Sequence, residues 1–131
     1  MKNEIIELKI KVLTAEDDAQ IEAVEKEMEI LANENPQEFN EDTFLPVRVI
    51  IKRMKNRENS TIQQLEDIVT DISWGKISDK YFNKRSSWLY SRLYGIDEEA
   101  KEVEFTTDEK RQLKNALYDL SERIKKSADN I

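Results

Sequence analysis

"SDKYFNKRSSWLYSRLYG", residues 78–95, holds half of the chain's ten aromatic residues and four of its 21 basic ones. Its reading decides the fold: it is either the aromatic core of a small helical protein or a nucleic-acid reading head built on two short helices. "ISDKYF" has the pattern of a short helix, Asn83 tolerates the left-handed conformation of a tight turn, and "RSSWLYSRL" opens with hydroxyl residues suited to capping a second helix. This is the order of parts in a helix-turn-helix. In the regular motif a small residue of the first helix faces the second, a turn glycine follows, and an aliphatic residue then packs underneath. Ser78 supplies the small residue, but Asn83 and Leu89 each arrive one position late.

Projection of the second helix from Leu89 puts Leu93 and Ile96 on the same, core-facing side. Ser87, Ser91 and Tyr94 are then expected to face outward, with Lys84 in the turn beside them, Trp88 and Tyr90 on the flanks, and Arg85 and Arg92 bordering the buried face within reach of phosphates. Candidate DNA contacts are therefore Lys80, Lys84, Arg85, Ser87, Ser91 and Arg92. None of the outward positions is an Asn, Gln or Arg able to grip a base edge with two bonds, so phosphate docking is favoured over base reading. In the competing reading Trp74, Tyr81, Phe82, Trp88 and Leu89 are core, and the basic side chains are a solvated face neutralised by acidic helices.

The flanks supply those acids. Residues 1–45 sum to −9, residues 46–95 to +5 and residues 96–131 to −3, so a basic island lies within a chain of net charge −7. Its 131 residues have the length of one domain, and only two glycines and two prolines disfavour a many-stranded fold. We expect a single all-α domain, 1–131, of five to six helices, in which an N-terminal hairpin packs with a C-terminal bundle containing the helix-turn-helix-like segment. Its parts are an acidic hairpin (1–35), basic central helices (43–74), the helix-turn-helix-like segment (76–95) and a C-terminal helix (106–127).

Ile5, Leu8 and Val12 mark the first helix, about 3–13, and Thr14 is read as the N-cap of a second that carries Ile21, Val24, Met28 and Leu31. Pro46 is placed in the first turn of a third helix, whose stripe is Val47, Ile50, Ile51 and Met54 opposite Arg48, Lys52 and Lys55. Ser60 with Gln63 reads as a capping box opening a fourth helix, Ile62, Leu65, Val69 and Ile72, that ends near Gly75. "DEEAKEVEF" is read as a loop in preference to a strand or wing. Thr106 with Glu109 forms a capping box for the last helix, whose buried side is Leu113, Leu117, Leu120 and Ile124.

With no cysteine and no histidine the chain lacks thiolate and imidazole nucleophiles and metal ligands, and the commonest general base. Pairs such as Asp17 with Asp18, or Glu98 with Glu99, read as solvation and helix-dipole complement, so no catalytic, metal or cofactor site and no small-molecule substrate is assigned. Apolar runs are short and the N-terminus is charged, which leads to the expectation of a cytoplasmic protein without a membrane span.

The acidic helices, the stretch "KYFNKRSSWLYSRLYG", the polar loop and "EFTTDEKRQLKNALYDLSERI" together resemble a domain-of-unknown-function family of small proteins from gut bacteria and their mobile elements, with a "KYFGKSRSWLYQRLNG"-like core. The likeness covers about residues 60–125 and runs through Tyr81, Phe82, Lys84, Ser87, Trp88, Leu89, Tyr90, Arg92, Leu93, Gly95, Phe105 and Thr106, with Asn83 in place of the family's glycine. It implies an all-helical fold with a helix-turn-helix-like segment, and no mechanism.

Two functions follow as expectations. The first is a small non-enzymatic DNA-binding or regulatory protein that meets double-stranded DNA through residues 78–95, with the stripes of the N-terminal hairpin either pairing two copies or folding back on the bundle. The alternative is a helical protein-interaction module without nucleic-acid binding, whose acidic hairpin meets a basic partner. In a subtler version of this alternative, the acidic helices of residues 1–45 cover the basic segment and compete with phosphate.

Overall fold

The computed structural model describes residues 3–131, and the helical elements follow the hydrophobic period of the sequence. The α-helices are α1 (Asn3–Leu13), α2 (Asp18–Glu34), α3 (Glu41–Lys55), α4 (Thr61–Gln64), α5 (Trp74–Ile77), α6 (Ser86–Tyr94) and α7 (Thr107–Asp129). A 3-10 turn occupies Arg57–Asn59, and α5 runs on without a break into a π turn, Ser78–Phe82. Among the described residues there are thus seven α-helices where five to six are expected, and the only β pairing is one isolated antiparallel bridge, Ile96 with Glu102. No helix of these residues is long and apolar enough to cross a membrane.

The packing divides between two cores. Ile5, Leu8 and Val12 of α1 and Ile21, Val24 and Met28 of α2 close on Phe44, Val47 and Ile51 of α3, with Phe39 stacked against Phe44 at 5.8 Å. The N-terminal hairpin is therefore completed to a three-helix bundle by α3, and the stripes considered for pairing two copies are buried inside it. The second core joins Ile62, Trp74, Ile77, Leu89, Leu93, Phe105, Leu113 and Ala116. The region grouped above as central helices, 43–74, splits between the two: α3 belongs to the first core and Ile62 to the second.

Several helix boundaries differ from expectation, each for a local reason. Thr14 does not cap α2; its hydroxyl donates back to the Ile10 carbonyl at 2.8 Å, and Asp17 caps α2 by accepting from the Gln20 amide at 2.9 Å. Pro46 lies inside α3, because Asn40 caps an earlier start and Glu41 and Asp42 favour its positive end. Ser60 forms no cap, its hydroxyl bonding the Arg57 carbonyl at 2.7 Å, and α4 stops after one turn. From there to Ile72 the chain runs in turns closed three residues back, such as Leu65 N–H to Ile62 and Ile68 N–H to Leu65. The β-branched and short acidic residues of "DIVTDI" favour helix weakly, and the Trp74 indole takes the Val69 carbonyl at 2.8 Å. In α7 the capping box of Thr106 and Glu109 forms as the sequence predicts, but only the N-terminal half meets the core: Leu113 is buried, Leu117 and Leu120 are half-buried, and Ile124 is 59% exposed.

Candidate nucleic-acid interface

The short helix pair forms, and its turn explains the one-residue offset. Ser78, fully buried, donates its hydroxyl to the carbonyls of Lys84 (3.0 Å) and Arg85 (2.8 Å), tying the first helix to the entrance of the second. Asn83 sits at φ 53°, ψ 44°, the left-handed position, and its N–H reaches back five residues to the Ser78 carbonyl. The extra residue between Ser78 and Asn83 is taken up by the π turn, a wider loop of the same helix. Leu89, Leu93 and Ile96 are each buried, the first two in the second core. Gly95 closes α6 at φ +76°, and a Cβ there would stand 2.6 Å from Asn56 Nδ2, the group that donates to the Tyr94 carbonyl at 3.0 Å.

The six candidate contacts do not share one surface. Lys84 and Arg85 are exposed at the start of α6, where no side chain caps the helix; Ser86 and Ser87 lie inside its first turn and do not cap it as the sequence leads one to expect. Together with half-buried Ser87, Lys84 and Arg85 line a hollow of about 490 Å³ whose other walls include Trp88 and, from the loop after α6, Asp97, Glu98 and Glu99. Lys80 is exposed on the π turn, 5.6 Å from the Tyr81 ring centre, and borders a different cavity, of about 630 Å³, with Ile77, Tyr81, Leu120, Arg123 and Ile124. Among the described residues Lys80, Lys84 and Arg85 form no ion pair.

Ser91 does not face outward. It is 4% exposed, its hydroxyl donating to the Ser87 carbonyl at 2.8 Å and accepting from Arg53 Nη2 at 3.4 Å, so it is withdrawn as a DNA contact. Ser91 borders the hollow of Lys84 and Arg85, as its projection suggests, but its hydroxyl is already taken up by Ser87 and by Arg53 of α3. Arg92 is also turned inward: its guanidinium lies 4.6 Å over the Trp88 ring and 3.8 Å from the Glu109 carboxylate. Trp88 in turn packs against Phe82 and Phe105 at 5.1 and 6.3 Å, and Trp74 is 2% exposed, so these aromatics serve the core.

Two residues that the local pattern could not single out support this region. Arg53 of α3 donates from Nε to the Ile96 carbonyl at 3.1 Å and lies 5.5 Å from the Tyr94 ring centre, and Lys52 donates to the Ala100 carbonyl at 2.7 Å. Burial lowers the Arg53 pKa, and the nearby Tyr94, Glu98 and Asp97 oppose that shift. On the other side of the helix pair the Tyr81 hydroxyl donates to the Asp119 carboxylate and accepts from Arg123 Nη1 at 3.0 Å. The bond to Asp119, before partial desolvation, raises the Tyr81 pKa, and Arg123 works against it. No group of acidic side chains among the described residues is arranged to hold a metal ion.

No curated protein and no solved structure matches the chain. Its second core, from Ile62 to Ala116 with the helix pair at its centre, falls within a stretch that a known family covers: the chain belongs to DUF5053, a domain of unknown function, which spans residues 61–131.

Proposed function

We propose that this is a small non-enzymatic DNA-binding or regulatory protein of the cytoplasm, which docks the start of α6 on the phosphates of double-stranded DNA. One observation carries the reading: Lys84 and Arg85 stand exposed and without ion pairs at an uncapped helix start, held in place by a left-handed turn and the buried Ser78 hydroxyl. The positive end of the helix adds to the attraction for an anion. Ser87 lies at the rim, Lys80 on the preceding turn is an accessory contact, and Arg92 and Ser91 take no part. A duplex of mixed sequence titrated across a salt series tests it. Affinity falls steeply with salt, and Lys84→Ala with Arg85→Ala lowers the log–log slope by about two.

A second reading, a helical interaction module without nucleic-acid binding, draws on Ile6, Ile10 and Leu13, exposed by 44, 54 and 62% along one row of α1. The same row, and not the buried stripes, is what the N-terminal helices offer for pairing two copies. Absence of DNA retention even at low salt would favour this module.

A further inference from the structure

We propose that the acidic loop after α6 is a built-in competitor for phosphate at the start of that helix. The inference rests on the DNA-binding reading above. It differs from the cover expected from residues 1–45, two of whose acids, Glu25 and Glu27, pair with Lys55 and Lys11 on the surface of the N-terminal bundle.

The loop is held in one shape. Ile96 and Glu102 form its antiparallel bridge, and the Asp97 N–H donates to the Lys101 carbonyl at 2.8 Å. One carboxylate oxygen of Asp97 accepts from the amides of Glu99 (2.8 Å) and Lys101 (2.9 Å), and Ala100 turns the chain at φ +64°. From outside, Arg53 and Lys52 of α3 fix the carbonyls of Ile96 and Ala100.

This shape sets three carboxylates against the proposed phosphate site. Asp97, Glu98 and Glu99 line the same hollow as Lys84, Arg85 and Ser87, and Glu98 also borders an adjoining groove of about 500 Å³ with Ser86, Ser87 and Tyr90. Glu98 thus flanks the first turn of α6 on two sides. Among the described residues no loop acid forms an ion pair with Lys84 or Arg85, and Glu99 pairs with Lys101 at the surface, 3.2 Å away. An arriving phosphate therefore meets cations it can bind and anions that repel it. Repulsion of unit charges across such a gap in a partly aqueous medium weakens binding by about threefold per carboxylate, and salt screens it.

The test uses the full chain and a mixed-sequence duplex at low salt, comparing wild type with Glu98→Gln, Glu99→Gln. Neither carboxylate hydrogen-bonds the loop's main chain: Glu98 acts on Arg53 only through space and Glu99 pairs with Lys101 at the surface, so the variant keeps its fold. A control, Glu7→Gln with Glu22→Gln, makes the same change of net charge on α1 and α2. The loop variant is expected to bind about tenfold more tightly than wild type and the control within about twofold, with the gain shrinking at high salt and lost when Lys84→Ala and Arg85→Ala are added. Retention of DNA by the loop variant alone also supports the competitor. If wild type binds with a steep salt dependence and the loop variant gains no more than the control, the competitor is wrong and the DNA-binding reading stands. If no variant retains DNA at any salt, both fall together.

Discussion

Asn83 at φ 53° is one of two non-glycine residues with positive φ among those described, the other being Ala100. Asparagine tolerates this region because its short amide can bond locally, which is why the position was legible from the residue alone. Ser91 was not legible, because its side-chain partner is Arg53, which lies 38 positions earlier in the sequence. Tyr81 was legible as an aromatic at helical spacing but not as a partner of Asp119 and Arg123, which lie on α7. That pairing has a measurable consequence. Because the folded chain holds the phenol proton more tightly than the ordinary value of 10.0, the bond to Asp119 favours the fold below that pH, and the benefit disappears as pH rises through the raised pKa. In a phenolate absorbance titration, the ionisation present in wild type and missing from Tyr81→Phe is expected above pH 10.0, and Asp119→Ala should bring it back toward that value. A midpoint unmoved by Asp119→Ala would show that the bond does not hold the proton.

At the scale of elements, the sequence is most readable where a cap and a period agree. Thr106, Glu109 and the apolar row after them define the start of α7, and both capping bonds form, at 2.9 and 3.1 Å. Thr106→Ala should cost about 1 kcal/mol in a urea unfolding curve. It should also loosen Arg92, since the capping Glu109 is that residue's ion-pair partner. No loss of stability would mean that packing against Phe105 alone sets the helix start. Residues 65–72 show the opposite case: a helical period without helical structure, because β-branched residues and the Trp74 indole bond favour turns. The π turn was visible only as a discrepancy, since a motif one residue too long has no helical period of its own. It places Ser78 at the bend without displacing Leu89 or Leu93 from the core.

Across the whole molecule the apolar spacing of each helix was legible, but not the core to which it belongs, because that depends on contacts far apart in sequence. The split into two cores predicts uneven loosening. Phe44→Ala removes a ring that is 2% exposed and stacked on Phe39, a change expected to cost about 3–5 kcal/mol. Hydrogen exchange should then accelerate across α1 to α3 while amides of α6 and the first half of α7 keep their protection. Uniform acceleration would show one cooperative unit in place of two. What joins the two cores is mostly an attachment to main chain: Lys52, Arg53 and Asn56 donate to the carbonyls of Ala100, Ile96 and Tyr94. Every residue type presents the same carbonyl, so such a grip senses the path of the loop and is blind to its spelling. The charges at positions 98 and 99 can therefore drift from one sequence to another, tuning the surface beside α6, while the joint between the two halves stays as it is.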